Sequence, residues 1–258
     1  IVKILLDAGS DPNASWNPKK PLHMAAEKGN IESVKLLLKA GADLLAEDNI
    51  GCSAFTLACR EGRIDIAKIL LSAGSSDKKA LVNPDGWRPL YVACEAGRLE
   101  SAKFLIDNGA EVNYQDENGS SALLMTCEKG STAIVNLLIG AGADPNKPDS
   151  NGETPLYKAS EAGHVDCVKS LLAAGANPHI KETTDGLTPL HVAAGKGFVG
   201  VVKALMAGGA DKNKEDNDGK TVLMYSDDWF GGSVIHDMLS LASNELWLEF
   251  YSDDQKST

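Results

Sequence analysis

The stretch that decides the fold is Thr188-Pro189-Leu190-His191-Val192-Ala193-Ala194, which lies between Gly186 and Gly197. A threonine hydroxyl that accepts from free amides, followed by a proline that lacks an N–H, is typical of a helix start. The leucine and the two alanines share one face at i, i+3 and i+4 spacing, and the alanines let a neighbouring helix come close. Gly197 permits the left-handed backbone that ends a helix. The stretch therefore predicts a short, closely packed helix.

A second apolar-periodic run, from Val199 to Met206, closes at Gly209 and leads through a polar loop to another copy of the pattern. Weaker copies of the heptapeptide recur along the chain at intervals of 33 to 35 residues. In the six complete copies, a marker residue lies 23 residues before the glycine that closes the second helix. Insertions therefore fall in the connecting loop, as expected when stacked helix pairs must keep register. The markers are Pro18, Gly51, Gly86, Gly119, Gly152 and Gly186, and Gly219 begins a further, divergent copy.

This period and heptapeptide resemble the ankyrin repeat, and the resemblance covers residues 1 to about 226. It implies an all-α fold, an ankyrin-type solenoid of stacked helix-turn-helix repeats joined by β-hairpin-like loops. In such a solenoid each repeat contacts only its neighbours, so the core is assembled between repeats. We expect a partial N-terminal repeat at 1–17, comprising a second helix and its loop, six complete repeats at 18–218, a divergent capping repeat at 219–251 and a polar tail at 252–258.

Both ends of the predicted stack depart from the pattern. Residues 1–9 match a second helix without its first, and no initiating Met precedes them, so we expect the natural protein to continue upstream with further repeats. Their open apolar face would allow end-to-end packing of an otherwise monomeric chain. At the other end, Ser233 is predicted to cap a longer closing helix with apolar residues at Ile235, Leu239, Ala242, Leu246 and Phe250. The extra apolar residues Trp247, Leu248 and Tyr251 leave a partner-binding or membrane-surface role open for this helix.

Composition and charge narrow the class of partner. The chain of 258 residues has a net charge of −11, which argues against a general nucleic-acid surface, since phosphate recognition requires clustered Lys and Arg. No apolar run is long enough to span a bilayer, and the chain does not start with a secretory signal. We therefore expect a cytoplasmic or nuclear protein with a protein or peptide partner of basic character.

The five cysteines indicate packing rather than a disulfide or a metal site. Cys59, Cys94 and Cys127 occupy the slot of the second alanine, and equivalent positions in adjacent stacked helices lie roughly 8 to 10 Å apart. A disulfide requires Cα atoms within about 7 Å. Cys167 falls on the apolar face of a second helix, Cys52 stands singly in a loop, and no CxxC or Cys/His cluster is present. We expect buried thiols and no metal.

The sequence carries no recognisable catalytic constellation. The resemblance implies that His23 and His191 are structural histidines that bridge helix starts and loops of neighbouring repeats. No nucleophile stands near a histidine at a familiar spacing, and neither a glycine-rich phosphate loop nor an H-E-x-x-H pattern occurs. We predict a non-enzymatic chain without a cofactor.

The predicted function is that of a protein-binding module with a concave contact surface. The resemblance places the variable contact residues around each marker and near the end of each first helix, and in the loops these slots hold Trp16, Ile50, Trp87 and Leu187. Aromatic anchors in such slots are typical hot spots, although either indole could instead fold back onto its own loop. Two other functions stay open: an accessory or targeting domain of a larger enzyme or channel, and a structural spacer.

A row of acidic residues is predicted near the ends of the first helices. Glu27, Glu95, Glu128 and Glu161 share one slot, and Glu61 stands one residue further on in another repeat, next to Arg60. If stacking aligns them, the row would attract a basic segment and speed its association. The alternative is an ordinary solvated face.

One loop is a candidate modification site. The stretch Leu105-Ile106-Asp107-Asn108-Gly109-Ala110-Glu111-Val112-Asn113 resembles the pattern of ankyrin loops that an asparaginyl hydroxylase modifies, which implies Asn113 as the acceptor. The alternative is that Asn113 is a turn residue whose side chain bonds nearby backbone.

Overall fold

A computed structural model describes residues 1–15, 19–74, 78–84, 88–226 and 232–240. Over these ranges the chain is helical, with short turns and loops, and the predicted all-α fold is confirmed. The elements are α1 (Val2–Asp7), α2 (Pro21–Lys28), α3 (Ile31–Lys39), α4 (Ala54–Arg60), α5 (Ile64–Ala73), α6 (Lys78–Val82), α7 (Pro89–Glu95), α8 (Leu99–Asp107), α9 (Ala122–Lys129), α10 (Thr132–Gly140), α11 (Pro155–Glu161), α12 (Val165–Ala173), α13 (Pro189–Gly195), α14 (Val199–Ala207), a 3-10 helix (Val222–Tyr225) and α15 (Gly232–Ser240).

The helices are arranged in two compact units, Ile1–Tyr114 and Gln115–Thr258. In the first unit, α2 contacts its partner helix α3 and the next first helix, α4, which in turn contacts α5 and α7. In the second unit, α11 contacts α12 and lies between α9 and α13. Each unit is therefore built from stacked helix pairs, as the repeat pattern predicts.

The first helices begin where the sequence predicts, and hydroxyl groups cap three of them. In each of these the hydroxyl oxygen accepts from the backbone N–H three residues later at 3.2 Å. Such a cap satisfies one of the amides that a helix start leaves free. The three capping residues are Ser53, Ser121 and Thr154.

The two predicted structural histidines cap their helices through the imidazole ring. Nδ1 of His23 accepts from the Lys20 backbone N–H at 3.0 Å, and Nε2 of His23 lies 2.8 Å from the carbonyl oxygen of Ala46 in the following loop. Nδ1 of His191 accepts from the Thr188 backbone N–H at 3.2 Å. The sequence-based prediction for the Thr188 hydroxyl needs correction, because Oγ1 makes its 2.8 Å hydrogen bond with the His191 ring.

The core lies between neighbouring first helices and their partner helices. The thiol-bearing residues in the alanine slot, Cys59, Cys94 and Cys127, are each 0% exposed, which confirms that they act as small buried fillers. Phe55 takes the place of the heptapeptide leucine and is also 0% exposed. All five cysteines are buried, and none of them forms a disulfide. Leucine occupies the equivalent slot at Leu22, Leu90, Leu123, Leu156 and Leu190, each of which is buried.

The loops that carry the marker glycines form short hairpins. Single antiparallel bridges close three of them, at Glu47 and Ser53, at Gln115 and Ser121, and at Glu215 and Thr221. Within the second unit each tip also bonds to the tip before it. The backbone N–H groups of Ser150, Thr183 and Asn217 donate to the carbonyl oxygens of Asn118, Asn151 and Asp185 at 2.9, 2.8 and 2.9 Å.

The marker glycine is required because adjacent tips come close together. Gly119 has φ +74°, and a Cβ built on it would lie 2.8 Å from the Ser150 backbone nitrogen and 2.9 Å from the Asp149 Cα. Gly219 has a similar φ of +78°, but a Cβ there would meet no atom of the described residues within 4 Å. Glycine at the marker position is thus favoured by the left-handed backbone and, at Gly119, also by the close contact with the next repeat.

Both predicted end segments differ from a complete repeat. Helix α1 exposes Ile1, Ile4 and Leu5, at 94%, 71% and 52%. The 3-10 helix replaces the first helix of the divergent repeat, and α15 begins at Gly232, one residue before the predicted cap, Ser233. Residues 241–258, which hold most of the predicted closing helix, lie outside the described part of the chain.

Candidate protein-binding surface

The predicted loop anchors are placed differently by the structure. Ile50 lies at a hairpin tip and is 47% exposed, so an apolar side chain is available there for contact. Leu187 is only partly exposed, and its backbone N–H donates to Glu182 Oε1 at 3.0 Å. Trp16 and Trp87 lie outside the described residues. Their assignment as aromatic anchors therefore stays a prediction.

In the first unit, the acidic row is partly neutralised by neighbouring cations. Glu27 receives Lys19 Nζ at 2.8 Å and lies 3.6 Å from Arg60 Nη2, and Arg60 Nε contacts Glu61 Oε1 at 3.1 Å. The hydrogen bond from Lys19 lowers the pKa of Glu27, against the opposing effect of partial burial. Glu95 is exposed and has no ion pair within 4.0 Å among the described residues. Of these carboxylates, Glu95 is the one open to a partner.

In the second unit, too, one acidic residue of the row forms an ion pair and another does not. Glu161 pairs with Lys196 Nζ at 3.1 Å, whereas Glu128 is exposed and makes no ion pair within 4.0 Å in the described part of the chain. Because the predicted row runs through both units, its alignment into one ridge stays a prediction. Among the described residues of the row, Glu95 and Glu128 are the members that make no ion pair within 4.0 Å.

In five of the described loops, a carboxylate that sequence reasoning missed stabilises the hairpin tip. Three residues before the marker, one aspartate oxygen accepts from the second and fourth amides that follow, at 2.8 to 3.0 Å. Local side-chain acceptors of this kind fix a turn. The sequence signal was an acidic residue at a constant offset from the marker. The aspartates are Asp48, Asp116, Asp149 and Asp216, and Glu182 has the same role in the remaining described loop, where it accepts from three amides.

The second oxygen of these aspartates reaches toward the first helix of its repeat. Lys158 Nζ lies 3.8 Å from Asp149 Oδ2 and also contacts Glu153. Burial alone would lower the pKa of Lys158, but the hydrogen bond and charge of Glu153 raise it. At the same register, the Tyr225 hydroxyl donates to Asp216 Oδ2. Burial and the contact with Asp216 raise the pKa of Tyr225 to about 12, and the Tyr225 hydrogen bond lowers that of Asp216.

A side chain at the start of the second helix connects one repeat to the one before it. Arg98 Nε donates to the Arg60 carbonyl oxygen at 3.1 Å. His164 Nε2 lies 3.0 Å from the Glu128 carbonyl oxygen, and its ring covers Gly130 so closely that a Cβ there would lie 2.5 Å from it. Carbonyl groups at a helix end need such donors. His164 therefore has a stacking role that its sequence position alone does not indicate.

Loop asparagines connect adjacent loops in the same way. Asn146 Nδ2 donates to the Gly175 carbonyl oxygen at 3.2 Å, and its Oδ1 accepts from the Asn177 backbone N–H at 2.7 Å. Asn13 makes the same pair of bonds with Gly41 and Asp43. Asn113 stands in the equivalent slot and is exposed. Its hydroxylation stays a prediction, and the bonds of the equivalent residues favour the structural alternative.

The comparisons with known proteins agree with this architecture. The family described as "Ankyrin repeats (3 copies)" matches residues 1–81, 45–116, 100–182 and 174–229. The chain belongs to the ankyrin repeat family. Human protein phosphatase 1 regulatory subunit 27 is 46% identical over 68 residues, which are 26% of this chain and 43% of that protein. Human neurogenic locus notch homolog protein 2 is 33% identical over 102 residues, 40% of this chain and 4% of that protein.

Ankyrin repeats are protein–protein interaction modules. The chain spans less than half the length of the phosphatase regulatory subunit and a small share of the notch protein. In the part of the chain that the structure describes, no three His, Cys, Asp or Glu side chains are grouped as a metal site would require. Within the same ranges, none of the helices combines the length and apolarity needed to cross a bilayer.

The buried histidine of the sixth complete ankyrin repeat makes stability depend on pH. His191 is 0% exposed, and burial lowers its pKa below the ordinary value of 6.5. The unfolded chain therefore binds this proton at a higher pH than the folded chain, so the stabilisation present at neutral pH is lost as pH falls below about 6.5. We expect His191→Gln to flatten this slope. Urea unfolding of both proteins from pH 7.5 to 5 measures it, and parallel curves would contradict the prediction.

Proposed function

We propose that this chain binds a basic segment of another protein through its hairpin tips and the ends of its first helices. The proposal is supported by two exposed carboxylates, Glu95 in the first unit and Glu128 in the second, each of which makes no ion pair within 4.0 Å among the described residues. The net charge of −11 also favours a basic partner, because complementary charge accelerates association. Ile50, exposed at a hairpin tip of the first unit, supplies apolar contact area.

The wider setting of this binding is also part of the proposal. We propose a non-catalytic protein of the cytoplasm or nucleus, and five buried cysteines that form no disulfide support a reducing compartment. We propose that the chain is a monomer whose exposed side chains Ile1, Ile4 and Leu5 allow end-to-end packing. This packing is the prediction to be checked. Sedimentation equilibrium measures the molecular mass of the unmodified chain and of the Ile4→Glu variant at several concentrations. Equal, concentration-independent masses would remove the end-to-end contact.

A random peptide library selected on the whole chain tests the charge preference. We expect enrichment of Arg and Lys, and an association rate that falls several-fold as salt is raised from 50 to 300 mM, because exposed charges are screened. Glu95→Lys combined with Glu128→Lys should weaken binding of the selected peptides about tenfold or more.

The control reverses two acidic residues of the second helices, Glu100→Lys and Asp166→Lys, which are also exposed and change the net charge equally. Binding should then remain within about twofold, apart from a smaller long-range effect of net charge. Equal losses in both double variants, or selection of peptides without basic residues, would contradict the proposed surface.

A further inference from the structure

Among the loop aspartates of the described residues, Asp48 is the one whose second carboxylate oxygen is buried without a donor. Its Oδ1 accepts from the backbone N–H groups of Ile50 and Cys52, each at 3.0 Å. Its Oδ2 is buried without a hydrogen-bond partner among the described residues, and the whole residue is only 8% exposed. An unsatisfied buried acceptor is costly, and a charged one more so. The arrangement therefore leaves a buried acceptor that a donor from a bound partner can satisfy.

Two counterparts show which chemistry fills this position. Nine residues after the loop aspartate, the first helix presents a donor to Oδ2, which is Lys158 for Asp149 and Tyr225 for Asp216. The residue nine positions after Asp48 is Leu57, which is buried and has no polar group. Nine residues after the loop aspartate, one repeat thus has the ammonium group of Lys158, which reaches Asp149. Another repeat has Leu57, which cannot donate to Asp48.

The surroundings of Asp48 favour a cationic donor. The nearby cations of the first unit are already engaged, because Lys19 bonds Glu27 and Arg60 contacts both Glu27 and Glu61. The Asp48 charge, together with burial, raises the pKa of Cys52 to about 11, with burial as the larger cause. An incoming ammonium or guanidinium group would therefore find a carboxylate oxygen with no competing partner.

We propose that Asp48 Oδ2 receives a Lys or Arg side chain of the bound partner, as Asp149 Oδ2 receives Lys158. The proposal rests on the basic-segment function proposed above and adds the residue that recognises the cation. The exposed Ile50 at the same tip contacts the apolar stem of that side chain. Since Oδ2 is covered in the free chain, the tip must move when the cation binds, and the amides of Ile50 and Cys52 report that movement.

An NMR titration of the whole chain with n-butylammonium chloride tests the site, with potassium chloride at the same concentration as the reference. We expect a saturable shift of the Ile50 and Cys52 amide resonances with n-butylammonium beyond that with potassium. Asp48→Asn keeps an oxygen that accepts from both amides but removes the charge, and it should weaken the response at least tenfold. Asp116→Asn, in a loop with the same two internal bonds, should leave the response unchanged.

A second variant tests the same chemistry at Asp149, whose donor in the unmodified chain is Lys158. Lys158→Met removes the ammonium from Asp149, so the amides of Asn151 and Glu153 should gain a saturable response to n-butylammonium. Absence of a specific response at Ile50 and Cys52 in the unmodified chain, or its persistence in Asp48→Asn, overturns the inference. Loss of peptide binding in the Glu95 and Glu128 variants, together with no probe response, would remove this site and leave the proposed function intact.

Discussion

Gly119→Ala is expected to lower the free energy of unfolding by about 2–5 kcal/mol. The left-handed backbone costs a residue with a Cβ about 1–2 kcal/mol, and forcing an atom into a filled contact costs about 1–3 kcal/mol more. The added Cβ would stand 2.8 Å from the Ser150 backbone nitrogen and 2.9 Å from the Asp149 Cα. Because these neighbours are backbone atoms, relief requires the next hairpin tip to move away, which strains the bond from Ser150 to Asn118.

Gly219→Ala is the matched control, since its backbone has the same left-handed conformation but its Cβ would meet no atom within 4 Å in the part of the chain that the structure describes. Only the conformational cost of about 1–2 kcal/mol should then appear. Equilibrium urea unfolding followed by circular dichroism measures both variants. Equal destabilisation would mean that the close approach of neighbouring tips does not explain the marker glycine.

Phe55→Ala is expected to cost about 3–5 kcal/mol of unfolding free energy, the range for removing a fully buried aromatic side chain. Phe55 lies on α4, which packs against α2, α5 and α7, so the cavity would open between three neighbouring helices. In a stack stabilised by contacts between neighbours, a defect at this position weakens several interfaces at once.

Phe55→Leu restores the residue that the other described repeats carry at this slot and should cost less than about 1.5 kcal/mol. Phe104→Ala, on α8, removes the same side chain from a partly exposed position and should also cost less than Phe55→Ala. The urea midpoints and the cooperativity of the unfolding transition give the order of stability of these variants. If Phe104→Ala is as costly as Phe55→Ala, the core has been assigned to the wrong helix face.

The repeat was predictable from sequence because its strongest constraints are local. A Pro or hydroxyl residue at the helix start, the small residues between helices and a glycine with positive φ each restrict one position and recur at a fixed spacing. These features also predicted the burial of Cys59, Cys94 and Cys127. The loop 75–85 was less accessible to this reasoning, since its short helix α6 depends on burial of Leu81 and Val82 against other elements.

The surface was less predictable because its residues are defined by their partners in space. The sequence indicated Glu27 and Glu95 equally, but only the structure shows that Lys19 and Arg60 engage the first. Lys158 stands where the other complete repeats carry Met, Leu or Val, and its contact with Asp149 depends on how the hairpin folds back over the helix. Side-chain pairs of this kind leave no periodic signal in one sequence.

Photo-crosslinking tests the central claim most directly. A basic peptide selected on the whole chain, with a diazirine beside its Arg or Lys residues, is irradiated in the complex, and the cross-linked positions are located by mass spectrometry. We predict cross-links at the hairpin tips and first-helix ends, around Ile50, Glu95 and Glu128, which disappear at high salt. Cross-links concentrated on the second helices, around Glu100 and Asp166, would contradict the account.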